Sequence, residues 1–150
     1  MIKLKVLTLR QPWATLIAIR EKLIETRSWK TDYRGPLLIH AGKSIDKEAC
    51  EDYFIKETLH IHGFTQYNLP TGVILAKVNL IDCIKIDVGT DPKLRKAFLE
   101  NGKVLRGNEY SFGDYTPGRY AWKLSNITNI KPIKAKGRLS LWNIDYREGE

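Results

Sequence analysis

Apolar and polar residues alternate over several short stretches of the chain, a pattern typical of strands with one buried face. The clearest stretch is 119–124, where Tyr120, Trp122 and Leu124 share a face. Strands are also predicted over 3–10, with Leu4, Val6 and Thr8 on one face, and over 24–29, 36–40, 73–86, 130–133 and 139–144. The pattern therefore favours a protein rich in short strands.

Helical spacing of apolar residues is confined to short stretches. Pro12 cannot donate to a strand ladder but suits a first helical turn, so a helix is predicted over 14–22. Ser44 or Asp46 can cap a second helix that ends before Gly63, and Asp91 with Pro92 precedes a third over 93–99. Residues 103–116 are predicted to be irregular.

These elements predict an α+β fold, mainly β, with two to three short helices. Residues 1–150 show no repeat and no linker-like composition, so one domain is expected. Strands do not alternate regularly with helices, which argues against a doubly wound sheet. We expect a β-barrel, because closure of the sheet removes exposed strand edges.

The net charge of the chain and its distribution indicate a class of ligand. The 25 basic residues exceed the 17 acidic ones, giving a net charge of +8 and a pI near 9.5. Residues 51–100 hold 6 basic and 7 acidic side chains, so the excess lies in the two terminal thirds. Adjacent early and late strands would merge the two thirds into one positive surface, as in a polyanion binder. The alternative is a basic protein without such a ligand.

The remaining composition sets the expected compartment and excludes several classes of site. The two cysteines form no C-x-x-C pair, and the N-terminus lacks the apolar core of a secretory leader, so a reducing cytoplasm is expected. No apolar run approaches a membrane helix, and no glycine-rich phosphate loop is present, so no membrane and no cofactor are predicted. His60 and His62 could form half a metal site with Cys50 or a carboxylate, but without a second spaced pair no metal is predicted.

The sharpest candidate chemistry lies in Lys22-Leu23-Ile24-Glu25-Thr26-Arg27. Strand alternation places Glu25 and Arg27 on one face, and Lys22 at the preceding helix end can lean toward them. Arg27 could bind a phosphate with two hydrogen bonds, Lys22 could act as a point charge, and Glu25 could hold a base amino group or accept a proton. A purely structural Glu–Arg pair on a strand is the alternative.

Other residues could extend this site. Trp13 and Trp29 could stack on a base or pack in the core. Candidate positions on a cationic rim, or alternatively ordinary surface residues, are Arg10, Gln11, Ser28, Arg34 and Lys43. A basic stretch that could contact phosphates, or simply form a solvated edge, comprises Lys131, Lys134, Lys136 and Arg138.

Longer motifs resemble the ASCH domain family, which belongs to the PUA-like superfamily. The resemblance rests on Leu7-Thr8-Leu9-Arg10-Gln11-Pro12-Trp13, on Arg27-Ser28-Trp29, on Tyr33-Arg34-Gly35-Pro36-Leu37-Leu38-Ile39-His40, and on later matches such as Tyr120-Ala121-Trp122-Lys123-Leu124 and Pro132-Ile133. The family pattern G-x-K-x-x-E-x-R is met by Lys22, Glu25 and Arg27, whereas Arg20 stands at the glycine position.

The resemblance implies a PUA-like barrel whose cleft is lined by this motif and handles RNA or a ligand derived from nucleic acid. Some members are linked to ribonuclease activity. Small bacterial relatives hydrolyse N4-acetylcytidine with a Thr where this chain has Glu25, and Thr26 would face away.

Three hypotheses stay open. The first is a binding module for RNA or single-stranded nucleic acid. The second is a hydrolase of a modified nucleoside, or a metal-independent ribonuclease, with Lys22 and Glu25 as catalytic residues. The third is a protein-interaction module of a transcription coactivator type.

Overall fold

The computed structural model describes residues 1–148, which are organised around a six-stranded mixed sheet and a two-stranded hairpin. The strands are β1 (Ile2–Gln11), β2 (Ile24–Arg27), β3 (Gly35–Ile45), β4 (Val73–Lys85), β5 (Lys96–Phe98), β6 (Val104–Arg106), β7 (Tyr120–Lys134) and β8 (Leu141–Tyr146). The helices are α1 (Trp13–Ala18), α2 (Lys47–Glu51), α3 (Tyr53–Ile61) and α4 (Asn108–Ser111), with one 3-10 turn at Pro92–Leu94. The sheet order is β2-β7-β4-β3-β1-β8. The predicted α+β, mainly β class is confirmed.

Strand β1 lies inside the sheet and is buried on both faces. It pairs in parallel with β3 and antiparallel with β8. Leu7 and Leu9 join the main core cluster under α1, whereas Leu4 and Val6 join a second cluster on the other face. The sequence predicted only the face of Leu4 and Val6 to be buried, because the opposite face begins with two lysines. The burial of Leu7 and Leu9 on that face depends on α1, which covers it.

The six-stranded sheet is open within residues 1–148. Strand β2 pairs only with β7, and β8 pairs only with β1, so these two strands form the edges. The closed barrel expected from the sequence is not confirmed. The long pair β4–β7 contains three register irregularities, the first between Ile74 and Ala76. Such bulges bend and twist a strand pair without closing the sheet.

The helices are shorter and more numerous than predicted. Residues 1–148 hold four rather than two to three, and the stretch 103–116, predicted to be irregular, contains β6 and α4. Helix α1 ends at Ala18 rather than at Lys22. The second predicted helix is two helices, because Asp52 leaves helical geometry and its carboxylate accepts hydrogen bonds at the start of α3. Asp46, one of the two predicted capping residues, caps α2: its carboxylate accepts a hydrogen bond from the backbone amide of Ala49. None of the helices in the described part of the chain is long and apolar enough to cross a lipid bilayer.

The helix predicted over 93–99 is wrong. Asp91 caps only a 3-10 turn, and Arg95 ends that turn in the left-handed region at φ 51°. The chain then forms β5, which pairs with β6 in a hairpin. Ala97 and Leu99 are both buried, so a two-residue period governs this stretch and burial overrides the helical start signal.

Candidate functional site

The three charged residues of the Lys-x-x-Glu-x-Arg motif lie together at the edge of the sheet. Lys22 Nζ is 3.7 Å from Glu25 Oε1, and Arg27 Nη1 is 3.4 Å from Glu25 Oε2. Glu25 is 7% exposed, and Arg27 is half-buried. The predicted proximity of the three side chains is therefore confirmed, and the carboxylate lies between the two cations.

Lys22 is enclosed by protein. Its side chain is 1% exposed, and its ammonium group donates to the carbonyls of Ile24 and Phe112. The ammonium also lies 5.6 Å from the ring centroid of Trp13. Burial lowers the pKa of Lys22, while the carboxylates of Glu25 and Glu109 oppose that shift. Lys22 thus ties β2 to the segment before β7, and its donors already have partners in the fold.

Glu109, on α4, completes this cluster from a distant part of the chain. Its two carboxylate oxygens accept hydrogen bonds from the backbone amides of Leu23 (3.1 Å) and Ile24 (3.0 Å). Burial raises the pKa of Glu109, while Lys22 and the two amides act in the opposite direction. Sequence reasoning missed Glu109 because it lies in a stretch predicted to be irregular, far from the motif it contacts.

Tyr115 is a second residue that the sequence did not single out. It is buried beside Ile24 in a hydrophobic cluster, and its ring stacks on Tyr110 at 5.7 Å. Its hydroxyl has no hydrogen-bond partner within residues 1–148. Burial raises the pKa of Tyr115 well above its ordinary value, and the charges of Glu109 and Glu25 raise it further.

The two tryptophans proposed as stacking platforms both contact protein. Trp29 meets the buried Trp122 edge to face, with ring centroids 4.7 Å apart, and Arg27 lies 5.8 Å from the Trp29 centroid. Trp13 packs against the cluster formed by α1, α2 and α3. Both remain half-buried, and Ser28 between the strand and Trp29 is exposed.

Two of the predicted rim residues have structural partners. Gln11 is fully buried, and its amide bonds the hydroxyl of Thr15 and the carbonyl of Pro70, each at 2.7 Å. Arg34 donates to the carbonyls of Thr31 (3.0 Å) and Tyr33 (2.8 Å) at the turn before β3. These contacts organise turns, and Gln11 in particular is closed to an external ligand.

Four of the other predicted cations converge on a different part of the sheet, whereas Lys131 and Lys134 of the predicted basic stretch do not line it. Arg10, Lys43, Lys136 and Arg138 line a cavity of about 380 Å³, which we call the basic groove. All four are exposed, and no Asp or Glu lines this groove. Arg10 lies 3.8 Å from Asp46, whereas no carboxylate within residues 1–148 forms an ion pair with the other three. The early and late basic thirds thus meet on one surface, as the sequence predicts.

The floor of the basic groove is rigidly hydrogen-bonded. His40 is buried, and its ring nitrogens contact Thr8 Oγ1 at 3.2 Å and the carbonyl of Ala135 at 2.7 Å. The indole nitrogen of Trp142 donates to the same Thr8 hydroxyl at 3.0 Å. This network fixes β1, β3, β8 and the segment after β7 relative to one another.

The basic groove and the motif are at opposite ends of β4. At the start of that strand, Val73 pairs with Ala41 and Lys134, which adjoin the groove. At its end, Lys85 pairs with Tyr120, which in turn pairs with Arg27. Strand β4 has 13 residues, equivalent to about 40 Å of extended chain. The sequence predicts that the motif and the rim cations share one cleft. In the structure, the motif and the basic groove are instead two separate regions.

The half metal site considered from the sequence is not assembled. Within residues 1–148, no group of three or more His, Cys, Asp or Glu side chains is placed to hold a metal ion. His62 instead lies 3.2 Å from a carboxylate oxygen of Glu21.

Fold and site together define a small α+β protein with an open mixed sheet, a buried charged motif at one edge and a basic groove near the other. The sequence model of the ASCH domain family matches residues 7–134 of this chain. The chain therefore belongs to the ASCH domain family, which is generally linked to RNA binding.

Two mammalian proteins match part of the chain. Activating signal cointegrator 1 from Mus musculus is 35% identical over 83 residues, and the protein of that name from Homo sapiens is 36% identical over 83 residues. In both cases the match covers 52% of this chain and 14% of the relative. The similarity is therefore confined to a small part of each cointegrator.

Proposed function

We propose that this protein is an RNA-binding domain that holds the phosphates of its ligand in the basic groove. The observation that carries the proposal is the convergence of Arg10, Lys43, Lys136 and Arg138 around one concave surface without a carboxylate. The link between the ASCH family and RNA binding supports the same ligand class.

The physical basis is electrostatic. Four exposed cations around a concavity focus positive potential, which attracts a polyanion and raises its association rate. Each phosphate that a cation neutralises releases condensed counterions, so affinity falls steeply as salt concentration rises. Because Lys43, Lys136 and Arg138 form no ion pair with a carboxylate in the described residues, no internal pair must be broken before they meet a phosphate.

The charged motif has a supporting role in this proposal. Lys22 has its donors directed at two carbonyls and at Glu25, so a phosphate could reach it only after local rearrangement. The hydrolase hypothesis requires Lys22 or Glu25 at a reacting atom, and the burial of Lys22 favours binding over catalysis. Arg27 remains half-exposed and could make a secondary contact.

The proposal is tested by fluorescence anisotropy of a labelled single-stranded RNA over a salt series. The double variant Lys136→Ala/Arg138→Ala should bind about tenfold more weakly at moderate salt, and the magnitude of the slope of log affinity against log salt should fall by about 1.4, since each phosphate contact on a single strand contributes about 0.7. The matched control is Lys93→Ala/Lys103→Ala, which removes two exposed charges from residues that neither line the groove nor adjoin it in sequence.

Equal losses in the groove variant and the control would indicate a diffuse charge effect and contradict the proposal. Absence of RNA binding by the unaltered protein at low salt would also contradict it. It would direct attention to a modified nucleoside or a protein partner.

A further inference from the structure

We infer that the basic groove accepts an unpaired nucleotide, with its phosphates on the rim cations and its base on the outer lip formed by Arg138 and Leu139. This inference rests on the proposed function and specifies its ligand class. If the inference holds, the groove binds a single strand more tightly than a duplex.

The lip has the properties of a base platform. The Arg138 guanidinium lies 5.8 Å from the ring centroid of Trp142, so an aromatic ring supports the planar group beneath it. Bases stack on guanidinium planes as they do on aromatic rings. Next to it, Leu139 is 94% exposed and lines the groove, so its apolar side chain is available to contact a base and would gain stability by being covered. A planar cation and an apolar side chain thus face the same solvent region beside the phosphate-binding rim.

Two glycines shape the groove from its backbone. An added Cβ on Gly137 would be 2.9 Å from Cγ2 of Thr8 and 3.1 Å from Cε1 of His40, so this residue packs directly on the floor. A Cβ on Gly42, in β3, would likewise be 3.1 Å from Thr8 Cγ2. Because both glycines lack side chains, the backbone of β3 and of the segment after β7 lies close to the floor, and the rim carries the long cationic side chains.

The size of the groove favours a single strand. A cavity of about 380 Å³ is near the lower end of the range for small-molecule pockets, large enough for one nucleotide. A duplex keeps its bases stacked inside and offers the protein mainly its phosphates and groove edges, which a concave pocket of this size cannot follow. Only a base that is unpaired and outside a duplex can stack on Arg138 and Leu139.

The test compares three labelled ligands of equal phosphate number with the 150-residue protein: a single-stranded RNA, a blunt-ended duplex without a loop, and a strand with abasic positions. We expect the single strand to bind about tenfold more tightly than either of the other two, in keeping with the contribution of base stacking. Leu139→Ser should reduce that preference without changing the salt slope. Leu94→Ser is the matched control, because Leu94 is 62% exposed and lies outside the groove.

The outcomes separate this inference from the proposed function. Equal affinity for all three ligands, together with no effect of Leu139→Ser, overturns the unpaired-nucleotide inference while groove binding of phosphates stands. No loss in Lys136→Ala/Arg138→Ala with any ligand overturns the proposed function itself. A preference for the single strand that Leu139→Ser weakens and Leu94→Ser preserves supports both.

Discussion

At the scale of single residues, Arg20 occupies a backbone position that suits glycine. It follows α1 with φ 67°, its amide bonds the carbonyl of Ile17, and the amide of Lys22 bonds the carbonyl of Leu16. A side chain in the left-handed region costs about 1 kcal/mol, which explains why the family pattern has glycine there. The turn nevertheless forms with arginine, so the charged motif keeps its place.

Replacing this residue should stabilise the protein. We expect Arg20→Gly to raise the free energy of unfolding by about 0.5 kcal/mol, since relief of the left-handed strain exceeds the added chain entropy of glycine. Urea denaturation followed by tryptophan fluorescence measures the change. Glu21→Gly, next to it and without a positive φ, should be destabilising. A loss of stability in Arg20→Gly would contradict this account of the turn.

Lys22 provides a second prediction at this scale. Lys22→Ala should lower the free energy of unfolding by about 3 kcal/mol, because it leaves Glu25 and two carbonyls without their buried partner. The RNA affinity of the folded variant should stay within about twofold of the original, as expected if Lys22 contacts no phosphate. Lys30→Ala removes an exposed lysine and serves as the control. A variant that is fully stable but does not bind RNA would place the ligand at the motif.

The proximity of the three motif side chains could be predicted from the sequence, because strand alternation fixes which side chains of β2 share a face. The burial of Lys22 could not. It depends on Phe112, whose carbonyl reaches the ammonium from 90 residues further along the chain. Local spacing shows that a lysine can lean toward a strand, but not what covers it.

At the scale of elements, the free edge of β2 is covered by the segment that contains α4. Glu109 accepts from the amides of Leu23 and Ile24, and the amide of Asp114 donates to Thr26 Oγ1 at 3.0 Å. An exposed edge strand can pair with another chain, and a covering segment prevents that. The open sheet therefore protects one of its edges without closing into a barrel.

Glu109→Ala should expose this edge. We expect the amides of Leu23 and Ile24 to exchange with deuterium about tenfold faster or more, because their acceptor is lost, while the central strands keep their protection. Glu100→Ala, which removes a carboxylate from an exposed position, should leave both amides unchanged. Unchanged exchange in Glu109→Ala would show that the rest of the segment covers the edge by itself.

Element prediction succeeded where one signal dominated. Long apolar alternation located β4, and proline stopped β1. The strands predicted separately over 119–124 and 130–133 form one continuous strand, β7. It failed over 93–99, where the capping signal of Asp91 competed with the two-residue burial period of Ala97 and Leu99. Only the pairing with β6, a contact absent from local sequence, decides between the two.

At the scale of the whole molecule, the topology decides where charge accumulates. Strand β1 pairs with β3 and β8, which brings Arg10 and Lys43 from the first third of the chain beside Lys136 and Arg138 from the last. The uneven charge distribution could be predicted from composition, and so could a merged positive surface. That this surface lies at the far end of β4 from the motif could not, because it depends on strand order and register.

Amide NMR chemical shifts during titration with a short single-stranded RNA can locate the bound nucleic acid. If it binds at the basic groove, the largest shifts should appear in the three lining segments 8–10, 42–44 and 135–139. Amides of 25–29 should move little. Shifts concentrated in 25–29, with the groove segments unchanged, would rule out binding at the groove and place the ligand at the Lys-x-x-Glu-x-Arg motif.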